Sequence, residues 1–206
     1  MARGKLITIE GIDGAGKSTL ARGLSRELAA RGLEVELLRE PGGVEVSERI
    51  RALVQDPALA VAPRAEALLY AAARAQLVQE LLAPLLQRGM LVLLDRFVDS
   101  SLAYQGVGRT LGVEKVRAIN LFATGGLVPD RTLLLSVSPA TGRARQQTRT
   151  SSPDRLECES DDFFATIADA YDRFAREEPA RIRPIDAGQA PEDVLRDALA
   201  AIADLL

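Results

Sequence analysis

Residues 11–18 read Gly-Ile-Asp-Gly-Ala-Gly-Lys-Ser, which fits the spacing G-x-x-x-x-G-K-[ST]. Such a turn aims several backbone N–H groups at one point, and that point suits an anion. Lys17 adds a mobile ammonium for the outer phosphates. The Ser18 hydroxyl is the expected Mg²⁺ ligand, and Thr19 follows in the first helical turn. Gly11, Ile12, Asp13, Gly14, Ala15, Gly16, Lys17, Ser18 and Thr19 together are the candidate nucleoside triphosphate cradle. A chance glycine turn is the plain alternative, and the flanking sequence argues against it.

Other residues of suitable chemistry are scattered along the chain. Asp95-Arg96 ends a run of apolar residues. A carboxylate there can hold magnesium and an arginine can fork onto a phosphate, although an ion pair capping a strand end would look the same. Asp13 would repel a triphosphate unless it faces elsewhere, so it reads either as a partner for a hydroxyl of a second substrate or as a solvated loop residue. Tyr70 and Arg74 are four apart and share one helix face. They could sandwich and hydrogen-bond a base, but on the residues alone a core tyrosine beside a snorkelling arginine is the simpler reading. Arg143, Arg145, Arg149 and Arg155 surround a Ser/Thr/Pro-rich loop, where arginines could close over a transferring phosphoryl group or lie free in solvent. Cys158 is assigned no role.

Composition limits the chemistry further. The 206 residues contain no histidine and one cysteine, which removes imidazole bases, Cys-cluster metal sites and internal disulfides. A net charge of −3 gives no sign of a nucleic-acid or membrane surface, and no apolar run is long enough to span a bilayer. No signal-peptide pattern opens the chain, so a cytoplasmic location is expected. Three lysines leave 23 of the 26 basic residues as arginine, a skew given no functional weight. The only asparagine, Asn120, precedes Leu121, so the guanine-reading Asn-Lys-x-Asp sequence is absent.

Positioning these residues takes a regular scaffold. Leu6–Ile9 is β-branched and apolar, and Leu20, Leu24 and Leu28 form one helical face that stops at Gly32. Further strands are expected at 35–38, 90–94, 131–137 and 182–185. Helices are expected at 44–54, 63–86 (bent at Pro84), 98–105, 113–124, 139–147, 161–177 and 191–206. Alternating strands and helices define an α/β class with a five-stranded parallel, doubly wound sheet and helices on both faces. In such sheets ligands bind beyond the carboxyl ends of the strands, which places Asp13, Glu40, Asp95 and Arg96 on one rim. One domain over residues 1–206 is expected, with a mobile lid at about 146–160.

Over essentially its whole length the chain resembles the thymidylate kinase family. The matching stretches are Ile9–Ser18, Arg39-Glu40-Pro41-Gly42-Gly43, Tyr70-Ala71-Ala72-Ala73-Arg74, Asp95-Arg96-Phe97, Ser100–Gly106 and Asp154-Arg155-Leu156-Glu157. The resemblance implies ATP + dTMP → ADP + dTDP with Mg²⁺, and a homodimer. By position, Asp13 would hold the deoxyribose 3′-hydroxyl and Arg96 the dTMP phosphate. Arg74 would bond the thymine ring, Tyr70 would stack on it, and Ser100, Ser101 and Gln105 would lie at the base. Tyr104 would crowd the 2′ position, while Glu40, Pro41 and Arg51 would complete the pocket. Asp95 would join Ser18 at the metal. Lys17 and Arg149 would neutralise the transferring phosphoryl, and Arg145 with Gly188-Gln189 would border the adenine. Two departures stand out: Ser136 where an aspartate is common, and Phe97 in place of Tyr or His. Another nucleotide or deoxynucleoside kinase, or an ATP-binding switch without phosphoryl transfer, are the competing functions.

Overall fold

The structure is a computed structural model that describes residues 3–148 and 154–206. Five strands, β1 (Leu6–Glu10), β2 (Val35–Arg39), β3 (Leu91–Asp95), β4 (Arg131–Ser136) and β5 (Ile182–Asp186), form one parallel sheet in the order β2-β3-β1-β4-β5. Parallel pairing needs a crossover between neighbours, and helices supply it. They are α1 (Lys17–Ala30), α2 (Glu45–Gln55), α3 (Pro63–Leu77), α4 (Ala83–Gln87), α5 (Val98–Ser101), α6 (Val113–Thr124), α7 (Pro139–Gln147), α8 (Asp161–Glu177) and α9 (Pro191–Ile202).

Strand side chains alternate between two cores. Ile7, Ile9, Leu93, Leu133 and Leu135 pack with Leu20, Leu24 and Leu28 of α1 and with Val194, Ala198 and Ile202 of α9. Leu6, Val92 and Leu94 face the other way, onto Leu77, Leu82, Leu85, Leu86 and Phe97. Burial on both faces is why these strands read as continuous apolar runs. The register levels their carboxyl ends: Asp95 is opposite Ile9 on one side and Arg39 on the other.

Most expected elements form within one or two residues of their expected ends, and the differences have local causes. The single helix expected over 63–86 is three pieces, with a π turn at Val78–Leu82 between α3 and α4. Pro84 has no N–H to donate, and the wider turn immediately before it takes up the lost hydrogen bond without breaking the helix. The 98–105 helix changes after one turn into a π-helical stretch, Leu102–Gly108. The last helix ends at Ile202 and gives way to a short 3₁₀ turn at Ala203–Leu205.

Candidate functional site

The P-loop leaves β1 at Gly11 and enters α1 through Gly16, whose φ of 97° is left-handed. Only glycine adopts that conformation without strain, and it turns the first N–H groups of α1 toward the loop. Gly14 is needed for a different reason. A Cβ there would lie 2.1 Å from the Gly142 carbonyl oxygen of α7. Lys17 folds back over the loop, and its Nζ donates to the carbonyls of Gly11 (3.1 Å) and Ile12 (2.8 Å). Burial, reinforced by the neighbouring Arg96 guanidinium, pushes the Lys17 ammonium down to about 8.

Beside the loop lies a cleft of about 400 Å³. It brings together Asp13, Gly14, Gly16, Lys17, Ser18 and Thr19 with Glu40, Pro41, Arg51, Tyr70, Arg74, Asp95, Arg96, Ser100, Ser101, Tyr104 and Gln105. These residues come from the P-loop, the ends of β2 and β3, α2, α3, α5 and the π-helical stretch. The expected convergence at the strand ends is therefore present.

Asp13 is a shared anion. Its carboxylate receives Arg96 Nη2 and the Tyr104 hydroxyl (2.9 Å), and Lys17 Nζ is 3.9 Å away. Arg96 also donates to the Gly11 carbonyl (3.2 Å) and Ser100 Oγ (3.1 Å), and stacks over the Tyr104 ring. Its backbone sits at φ 70°, a left-handed conformation uncommon outside glycine, and these side-chain contacts hold it there. Burial alone would lower the Arg96 pKa, but Asp13, together with Tyr104, Tyr171 and Asp95, more than offsets this and keeps it well above the ordinary value. Ser18 Oγ donates to Asp95 Oδ2 at 2.7 Å, which sets a hydroxyl and a carboxylate oxygen side by side at the cleft.

The Tyr70/Arg74 face belongs to the cleft, and Arg74 is only 2% exposed. Its Nε reaches Glu40 Oε2 (2.7 Å), Nη1 reaches Ser101 Oγ (3.0 Å) and Asn120 Oδ1, and Nη2 reaches the Phe97 carbonyl (3.0 Å). The Phe97 ring, fully buried, lies under the guanidinium at 5.4 Å. Arg74 is thus a rigid wall rather than a mobile probe. Burial raises the Glu40 carboxyl above its ordinary range, and its other oxygen, Oε1, is buried without a hydrogen-bond partner among the described residues. Arg51 braces the Pro41 carbonyl at 2.9 Å.

Residues with no motif of their own support this wall. Glu10, at the end of β1, accepts from the Phe97 and Ser100 N–H groups and from the hydroxyls of Ser100 (2.5 Å) and Tyr171 (2.9 Å). Burial, aided by Asp99, pushes its carboxyl up to about 7. Glu66 and Asn120 are also buried and unanticipated. Glu10 ends the apolar run Leu6–Ile9 and Asn120 sits between Ile119 and Leu121, whereas Glu66 carries no local signal.

A second pocket, of about 450 Å³, lies on the other side of the loop and is lined by Ala15, Gly16, Thr19, Arg145, Ala187 and Gln189 among others. Arg145 Nη2 donates to the Ala187 carbonyl at 2.9 Å, and Gln189 is held by Asp197. Gly188 lines the neighbouring groove instead, with Ser136 and Asp186. Of the arginines around the loop, Arg143 is tied to Asp161 and to the Glu157 and Glu159 carbonyls. Arg155 pairs with Glu66. Arg149 lies outside the described residues.

A P-loop flanked by two pockets, on a 2-3-1-4-5 parallel sheet, defines a P-loop kinase of the nucleoside monophosphate class. The thymidylate kinase family model matches residues 9–198. The chain is 46% identical over 198 residues to the thymidylate kinase of Alkalilimnicola ehrlichii, covering 95% of this chain and 90% of that one. It is 43% identical over 204 residues to that of Deinococcus radiodurans, covering 99% and 98%. A crystal structure of thymidylate kinase from Ehrlichia chaffeensis superposes with a TM-score of 0.79 at 26% identity, covering 97% of this chain and 99% of that one. The chain belongs to the thymidylate kinase family.

Proposed function

We propose that this chain carries out the reaction its family is named for, phosphorylation of dTMP to dTDP with ATP as donor. The observation that carries the reading is the pair of pockets meeting at one P-loop, one with a ring-and-guanidinium wall and the other bordered by Arg145 and Gln189. Phosphoryl transfer asks little covalent chemistry of a protein, so positioning and charge neutralisation suffice without histidine.

In this reading the cleft takes dTMP. Tyr70 stacks on the thymine, and Arg74, Ser101 and Gln105 read its edge. Arg96 receives the acceptor phosphate, and Asp13, released from part of its ion pairing, takes the 3′-hydroxyl. Glu40, Pro41, Arg51 and Ser100 shape the cleft, and Tyr104 closes the 2′ side. The triphosphate lies on the N–H groups of the loop, with Lys17 on its outer phosphates and the adenine between Arg145 and the turn at Gly188 and Gln189. Ser18 and Asp95 offer hard oxygen donors suited to Mg²⁺, with the remaining positions left to water and phosphate. Bound there, the ion would supply charge stabilisation on the transferring group. Arg149 is proposed as the lid arginine, within a single domain whose 146–160 segment closes over the phosphates. A cytoplasmic location goes with this reading, and among the described residues no helix is long and apolar enough to cross a membrane.

A homodimer is proposed through α3 and α6. These helices pack together and leave Leu68, Leu121 and Phe122 exposed, the last at 92%.

The test is ADP release from ATP and Mg²⁺ with dTMP, dUMP, AMP, CMP, GMP and thymidine offered separately. A strong preference for dTMP is expected. Preference for another acceptor would overturn the base-reading assignment, and no acceptor-dependent release from folded protein would favour a nucleotide switch.

A further inference from the structure

Glu66 stands in the first turn of α3 with 0% exposure, an unusual place for a carboxylate. Gln105 and Arg109 donate hydrogen bonds to it, and Arg155, from a separate part of the chain, lies against it as an ion pair. Gln105 Nε2 donates to Oε1 at 2.9 Å. Arg109 reaches Oε1 through Nε and Oε2 through Nη2, both at 3.3 Å. Arg155 Nη2 pairs with Oε2 at 2.7 Å, while its Nε donates to the Val54 carbonyl at 2.9 Å. Arg109 also reaches forward through Nη1 to Glu159, at 2.6 Å. One buried carboxylate therefore joins a cleft-lining glutamine to the 154–160 segment.

The chemistry of that contact fixes an orientation. A carboxylate only accepts hydrogen bonds, so the Gln105 amide must turn its NH₂ toward Glu66. Its carbonyl oxygen is then the end left for a substrate. An acceptor at that position suits the imide N3–H of thymine or uracil. Cytosine presents a lone pair at N3, and two acceptors facing each other leave both without a partner.

We propose that Glu66 is a positioning residue for base discrimination: by holding the Gln105 amide it selects a pyrimidine imide over cytosine, and through Arg109 and Arg155 it tethers the 154–160 segment to the same setting. The inference rests on dTMP being the acceptor. It goes further in assigning discrimination to a residue that does not touch the base.

The experiment measures kcat/KM for dTMP and dCMP in the wild type, Glu66→Gln, Gln105→Glu and the double exchange. Glu66→Gln supplies a rival donor that lets the Gln105 amide reverse. The dTMP:dCMP ratio should fall about tenfold, mostly through KM for dTMP. Gln105→Glu sets two carboxylates together and should lower the ratio at least as far. The double exchange restores one donor facing one acceptor and should recover most of the wild-type ratio. Amide hydrogen exchange across 154–160 should speed up in Glu66→Gln and stay fast in the double exchange, because the glutamine at 66 still lacks the charge that holds Arg109 and Arg155. An unchanged ratio in folded Glu66→Gln, or a double exchange worse than either single variant, would overturn the positioning role. Unchanged protection of 154–160 would overturn the tether. A wild type that does not prefer dTMP would sink the acceptor assignment, and the exchange measurement would still decide the tether.

Discussion

Lys17 is held between opposing demands, since it must be charged for phosphate yet is buried beside Arg96. With the folded ammonium at about 8 against an ordinary 10.5, the empty protein loses this proton in mildly alkaline solution. A bound triphosphate favours the charged form, so nucleotide binding above pH 8 takes up a proton. Affinity for ATP should be nearly flat from pH 6.5 to 7.5 and then weaken by up to about tenfold per pH unit, because the linkage concerns one proton. Calorimetry in buffers of different ionisation enthalpy checks this: uptake approaching one proton at pH 9 is expected, and none at pH 9 would refute it. The motif made Lys17 legible in the sequence because its spacing allows few other arrangements. The role of Glu10, though it lies in a matching stretch, was not legible, and neither was that of Glu66. An acidic residue in the first turn of a helix is ordinary, and nothing local says that this one is buried and meets Arg155, 89 positions away.

At the scale of elements, α7 rests on the P-loop through a contact of backbone with backbone. A Cβ at Gly142 would come within 2.7 Å of the Asp13 carbonyl oxygen and 3.1 Å of Ile12 Cδ1. Helix propensity alone would favour alanine at this interior position by about 0.5–1 kcal/mol. Overpacking a tight contact costs about 1–3 kcal/mol, so the contact wins. Gly142→Ala should therefore lower stability by about 1 kcal/mol and reduce kcat more than dTMP affinity, because α7 also carries Arg145. Thermal unfolding and steady-state kinetics read the two effects. A gain in stability would show that the helix relaxes away from the loop. The boundaries of α6, α7 and α8 were readable because Pro139, Gly125 and Ser160 mark them. The π turns were not, since they arise where a helix accommodates Pro84, or where Leu102–Gly108 adjusts to the packing around it, and no residue code announces them.

For the whole molecule, the parallel, doubly wound class was legible from alternating strands and helices, whereas the strand order β2-β3-β1-β4-β5 is set by which crossovers pack together and an assembly is a property of two chains. The exposed Phe122, with Leu121 and Leu68, gives the proposed dimer a test. Phe122→Glu should convert a particle of twice the 22.1 kDa chain mass into one of that mass in sedimentation. A wild type that already sediments as one chain would remove the interface. The cleft beside the P-loop carries one further implication. Lys17, Arg22, Arg39, Arg51, Arg74 and Arg96 line it against Asp13, Glu40, Asp95, Asp154 and Glu157, a formal surplus of one positive charge among the described residues. An almost balanced cavity in a chain of net charge −3 casts little field into solvent. Nucleotides are then not drawn in from a distance. They arrive by diffusion and are recognised only at contact, when guanidinium groups already parked on carboxylates change partners.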